Sequence, residues 1–123
     1  MSSFTEGLQV ELLPDGKTFE LLRPFHYYFY EGVSEGVTIP AGFQTDFATV
    51  PAIVSPFIQK MGKHSKASVL HDYLYTVPQF RTRLECDQIF RDAMKVSGVS
   101  MAKRNAIYYA VRMFGASHFK GIQ

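Results

Sequence analysis

From residue 65 onward the chain is cut into helix-length pieces by its own stop and start signals. That punctuation constrains the fold more than any other feature of the sequence. Pro78 ends the first piece, residues 65–77, because proline has no N–H for a helix ladder and clashes with the preceding turn. Thr82-Arg83-Leu84-Glu85 then has the form of a capping box, so a second helix is expected over residues 83–97 with Gly98 just past its end. Ser100 caps a third, over residues 101–114, which Gly115 terminates.

Before residue 41 the punctuation is that of strands. Residues 8–13 and 18–22 flank Pro14-Asp15-Gly16, where proline presets φ and Asp-Gly tolerates the bend, so they pair as a hairpin. The aromatic-rich residues 25–30 suit a third strand, and residues 37–39 form a short fourth, stopped by Pro40. Residues 41–51 keep neither a 2.0 nor a 3.6 period and read as an ordered loop held by its Phe side chains. Ser55-Pro56 opens a short helix that Gly62 closes. The expectation is a single α+β domain, residues 1–123. A small N-terminal antiparallel sheet of three to four strands packs with a C-terminal part of three main helices, joined by the loop and short helix of residues 41–64.

That domain must hold together by packing, because a lone cysteine, Cys86, forms no intrachain disulfide. With 46% hydrophobic residues, the apolar material for a core is present, and Cys86, mid-helix among apolar residues, reads as a buried inert thiol. A net charge of +2 is too small to argue for nucleic acid. Lys60, Lys63 and Lys66, and Lys103-Arg104, read as solvated faces. No signal peptide and no apolar run of membrane-spanning length is visible, which points to synthesis in a cytoplasm and is compatible with export inside a virus particle.

The chemistry concentrates in His71-Asp72-Tyr73-Leu74-Tyr75. Residues four apart share a helix face, so His71 and Tyr75 stack one turn apart on an otherwise apolar helix. Polar groups buried there are costly unless satisfied. The next helix offers a partner: Leu84, Phe90 and Met94 form its inward stripe, and Asp87 falls inside that arc. The short link at residues 76–82 makes the two helices antiparallel neighbours, so Asp87 reaches a ring nitrogen of His71 and fixes its tautomer, and the Tyr75 hydroxyl bonds the same carboxylate. Asp72 is left as an oxygen ligand for a hard cation. Plainer readings stand beside these. Asp87 and Arg91 are spaced for an i,i+4 ion pair, His71 has the alternative of a satisfied core histidine, and Tyr73 and Leu74 read as core. Asp46 reads equally as an Asx-type turn or a site residue, with Thr49 and His64 weaker candidates.

Two resemblances follow from these residues. The run from Pro40 through Gly42-Phe43-Gln44-Thr45-Asp46 to Pro51, then His71-Asp72-Tyr73-Leu74-Tyr75, then Cys86-Asp87-Gln88-Ile89-Phe90 and Met94, resembles a family of small uncharacterised proteins of tailed phages and prophages, over residues 37–115. It implies a viral origin and no particular activity. The His-Asp-x-x-Tyr helix followed by an inward Asp, residues 66–94, is similar to the active site of the phospholipase A2 superfamily, particularly its short prokaryotic and viral members. That resemblance implies His71 as the base, Asp72 as a Ca²⁺ ligand, and Asp87 as the orienting carboxylate with Tyr75 bonded to it. The superfamily's disulfides are absent and its glycine-rich calcium loop has no plain counterpart. Residues 42–49 would stand in, with Asp46 adding a side-chain oxygen.

The leading expectation is therefore a metal-assisted hydrolase of lipid esters or other acyl bonds. The competing expectations are a non-catalytic structural or assembly component of a phage particle or its tail, and an inhibitor that binds a host protein. Tyr108 and Tyr109 are adjacent, so both cannot face one core, and one is expected at the surface or an interface.

Overall fold

The computed structural model describes residues 3–4, 7–28, 36–45, 65–77 and 81–119. Within them the chain is α+β, with strands before residue 46 and helices after residue 64. It divides into two compact units, Met1–Asp46 and Phe47–Gln123. The short helix expected between Ser55 and Gly62 lies outside the described residues, as do Asp46, Thr49 and His64.

The first unit holds β1 (Ser3–Phe4), β2 (Val10–Leu12), β3 (Phe19–Leu21), β4 (Phe25–Tyr28), β5 (Gly36–Ile39) and β6 (Gln44–Thr45). They form two three-stranded antiparallel sheets, in the orders β1-β4-β5 and β2-β3-β6. The expected hairpin is present, with Val10 opposite Leu21 and Leu12 opposite Phe19. Its turn is closed by Asp15, whose Oδ1 accepts the N–H groups of Lys17 (3.0 Å) and Thr18 (2.8 Å) while Oδ2 accepts the Thr18 hydroxyl at 2.6 Å. The Thr18 hydroxyl, then the Lys17 and Thr18 N–H groups, stabilise the carboxylate and bring the Asp15 pKa down to about 2. Along β4 the side chains alternate, Phe25 and Tyr27 buried and His26 and Tyr28 half-buried, with Val37 and Ile39 of β5 buried opposite them. Burying each of these large apolar groups contributes about 1.5–3 kcal/mol. Neither β1 nor β6 was expected, because a two-residue strand has no room to display a period. β6 is held by its surroundings: Leu21 N–H donates to the Phe43 carbonyl at 2.8 Å, and Gly42 N–H to the Leu21 carbonyl at 2.7 Å.

The second unit holds α1 (Ser65–Thr76), α2 (Arg83–Val96) and α3 (Met101–Phe114), with a short 3₁₀ turn at Ala116–His118. The capping box is formed: Thr82 Oγ1 accepts the Glu85 N–H at 3.2 Å and Glu85 Oε1 accepts the Thr82 N–H at 2.9 Å. Ser100 caps α3 through the Lys103 N–H. Every residue of α1 from 67 to 72 is buried, so this helix presents no solvated stripe. α2 packs on both α1 and α3 and buries Cys86, Asp87, Phe90 and Met94. Leu84, expected in that inward stripe, is 44% exposed, because it sits in the first turn, where the helix has only begun to enter the packed layer. Tyr108 is buried and Tyr109 exposed, as adjacency on one helix requires. None of the helices among the described residues is long and apolar enough to cross a membrane.

Candidate functional site

The centre of the helical unit is a polar cluster built from all three helices. α1 contributes His71 and Tyr75, one turn apart, with ring centroids 4.1 Å from each other. α2 contributes Asp87 and, one turn earlier, Arg83. α3 contributes Arg112 from its last turn. His71, Tyr75 and Asp87 are all 0% exposed, so their polar atoms depend on one another.

Asp87 is the hub. Its Oδ1 lies 2.8 Å from His71 Nε2 and accepts the Tyr75 hydroxyl at 2.5 Å. Its Oδ2 accepts from Arg112 Nη1 at 2.7 Å and stands 3.6 Å from Arg83 Nη1. A carboxylate is an acceptor only, so His71 carries its proton on Nε2, and a neutral ring then has its lone pair on Nδ1. Phe90 stacks on the imidazole at 4.3 Å between centroids, fixing its plane from the other side. Burial pushes the Asp87 carboxyl up, and the hydrogen bonds from His71 and Tyr75, with the electrostatic attraction of the imidazole and the Arg112 bond, outweigh it, so the group stays below the usual carboxylate range. Burial, then the bond to Asp87 and its charge, push the Tyr75 phenol strongly up, which keeps it a proton donor.

The arginines were not visible as site residues in the sequence. The i,i+4 spacing offers Arg91 as the plainer partner of Asp87, but the structure pairs the carboxylate with Arg83, four residues back, and lays Arg91 over the Tyr108 ring at 4.0 Å. The i,i−4 spacing of Arg83 was a usable signal. Arg112, far along the chain on another helix, had none. Arg83 also donates to the carbonyls of Val111 (3.1 Å) and Arg112 (3.2 Å), tying the end of α3 to the start of α2. Gly115 completes the arrangement, because a Cβ there would stand 2.6 Å from the Val111 carbonyl and 3.2 Å from the Tyr75 hydroxyl.

The calcium expectation is overturned. Among the described residues no three or more His, Cys, Asp or Glu side chains gather in a way that would hold a metal ion. Calcium needs six to eight oxygen ligands. Both oxygens of Asp87 are engaged by His71, Tyr75 and two guanidinium groups. Asp72 is buried in α1 and joins no metal-holding group among the described residues, and Asp46, its expected co-ligand, lies outside them. Ser68, which carries no motif in the sequence, is 1% exposed on the same helix, with a hydroxyl that makes no hydrogen bond.

The comparisons with known proteins add kinship without an activity. The chain is 30% identical over 115 residues to the uncharacterised protein y4iH of Sinorhizobium fredii (strain NBRC 101917 / NGR234), an alignment covering 91% of this chain and 47% of that protein. It is 33% identical over 102 residues to the uncharacterised protein y4jT of the same strain, covering 79% of this chain and 29% of that one. The chain thus spans half or less of the curated relatives it matches. No solved structure matches it. A family model matches residues 19–111, a span that takes in four of the strands and nearly all of the three helices, and the chain belongs to that family, DUF1353, described as a protein of unknown function.

Proposed function

We propose that this chain is a hydrolase of ester or other acyl bonds in which His71 is the general base and Asp87 and Tyr75 position it. The observation that carries this reading is the shared oxygen. Asp87 Oδ1 accepts hydrogen bonds from His71 Nε2–H and the Tyr75 hydroxyl together, inside protein, which favours one tautomer and one ring orientation. In the proposed step Nδ1 takes a proton from water as the oxygen adds to the acyl carbon. The imidazolium, steadied by Asp87, then returns the proton to the leaving group as the acyl bond breaks. The unpaired Ser68 hydroxyl, three residues before His71 on α1, supplies a further donor near the base.

The test is turnover of fluorogenic acyl esters of graded chain length, and of phospholipid vesicles, by the purified chain. Hydrolysis is expected, and His71→Asn should lower it by about 10²–10⁴-fold with the far-UV circular dichroism unchanged. Full activity in that variant would remove His71 from the chemistry.

A second reading, a non-catalytic component of a phage particle, draws on different observations. His71 is 0% exposed, and α3 turns Met101, Tyr109, Met113 and Phe114 outward at 66%, 58%, 73% and 50% exposure. An outward apolar set of that kind suits a partner surface. The absence of turnover on every substrate, together with retention of the chain in purified particles, would favour it.

A further inference from the structure

We infer that Arg112 is a positioning residue for the His71–Asp87 pair, holding the carboxylate so that one oxygen stays on the imidazole. The kinetic half of this inference rests on the hydrolase reading, and the spectroscopic half does not.

A carboxylate turns about its Cβ–Cγ bond, and a partial turn would swing Oδ1 out of line with His71 Nε2 and the Tyr75 hydroxyl. Arg112 Nη1 lies 2.7 Å from Oδ2, and Arg83 Nη1 lies 3.6 Å from the same atom. Any rotation of the carboxylate therefore breaks a charge-assisted bond on one side and two hydrogen bonds on the other. Of the two cations Arg112 is the closer, and its bond to Asp87 is the short one. Arg83 spends its guanidinium chiefly on the carbonyls of Val111 and Arg112 and on the Tyr75 hydroxyl at 3.5 Å. The two arginines thus divide the work. Arg83, on α2, fixes the last turn of α3, and that turn carries Arg112 back to Asp87 on α2. The loop closes on the atom opposite the one that orients the base.

Arg112 donates to Asp87, so it reaches the imidazole through the carboxylate. Its side chain is 29% exposed while that of Asp87 is 0% exposed, so it can be changed with far less loss of packing than any other member of the cluster. A merely structural arginine would contribute stability and leave the His71 proton where it is. A positioning arginine sets which ring nitrogen holds that proton.

The experiment uses the whole chain labelled with ¹⁵N-histidine, with His71→Asn to assign the signal. The wild type is expected to show His71 as the single Nε2–H tautomer. Arg112→Gln should give a mixture of tautomers, and Arg112→Lys, which keeps a cation without the guanidinium fork, should restore part of the single state. On the substrate that the wild type turns over best, Arg112→Gln should lower kcat by roughly 10–100-fold, with KM within about twofold. Tautomers that mix in a chain with no turnover would uphold the positioning role and remove the hydrolase reading. An unchanged His71 tautomer in both variants overturns the inference, whatever happens to stability or to kcat. Should Arg112→Gln unfold, Arg112→Lys is expected to show a partial mixture, and a single Nε2–H tautomer in it overturns the inference.

Discussion

At the level of single residues the cluster is one acid shared among four donors, and its members are unequal. Tyr75 is fully buried, and its hydroxyl is the shortest partner of Asp87. Tyr75→Phe keeps the ring against His71 and Phe119 and removes only that donor. A hydrogen bond to a charged group is worth about 1.5–3 kcal/mol, so urea unfolding of this variant should show that loss with an unchanged m-value. A loss under about 0.5 kcal/mol would mean that Asp87 does not depend on this donor. The meeting of His71, Tyr75 and Asp87 was legible because each step is local. An i,i+4 spacing fixes the first two, and a short link brings the third alongside. Arg112 was illegible for the converse reason. Nothing near it in sequence is polar in a way that demands a partner, and its role exists only once α3 has packed on α2.

Among the elements, the helices were read closely because each carries its own boundary chemistry. Thr82 with Glu85 and Ser100 with Lys103 make the cap bonds that their spacing dictates. The strands were less legible. β1 and β6 are defined by what they pair with, whereas β5, expected over residues 37–39, begins one residue earlier at Gly36. Gly36 nonetheless controls that hairpin. It pairs with Tyr28, and a Cβ built on it would stand 2.0 Å from the Tyr27 carbonyl oxygen, a backbone atom that moves only if β4 moves. Gly36→Ala should therefore push β5 off β4 and cost about 1–3 kcal/mol, the range for overpacking. Hydrogen exchange checks it. The amides that join β4 and β5 should lose protection in the variant while those of α2 keep theirs, and equal protection in both proteins would show that the strand accommodates the methyl.

For the molecule as a whole, the two halves owe their structure to different kinds of information. Alternation and a turn built on Asp15 shape the first unit, whereas the second is organised around a polar hub that no periodicity announces. That hub gives the chain's stability a defined pH dependence. The Asp87 carboxyl lies below its usual value in the folded state, so between that depressed value and the unfolded value of about 3.9 the unfolded chain binds more protons than the folded one. Stability must then rise with pH through this window, be complete above it, and be lost as pH falls through the folded value. Asp87→Asn removes the titrating group and leaves Arg83 and Arg112 without their counter-charge, which at neutral pH should cost about 3–5 kcal/mol. The variant has no proton to gain at this position, so the gap in unfolding free energy between the two proteins should narrow as pH is lowered from 6 toward 2. Denaturant unfolding followed by helical circular dichroism at each pH measures that gap. A gap that stayed constant over the whole range would mean that Asp87 is not held ionised by its four partners, and the carboxylate would then be no anchor for the His71 ring.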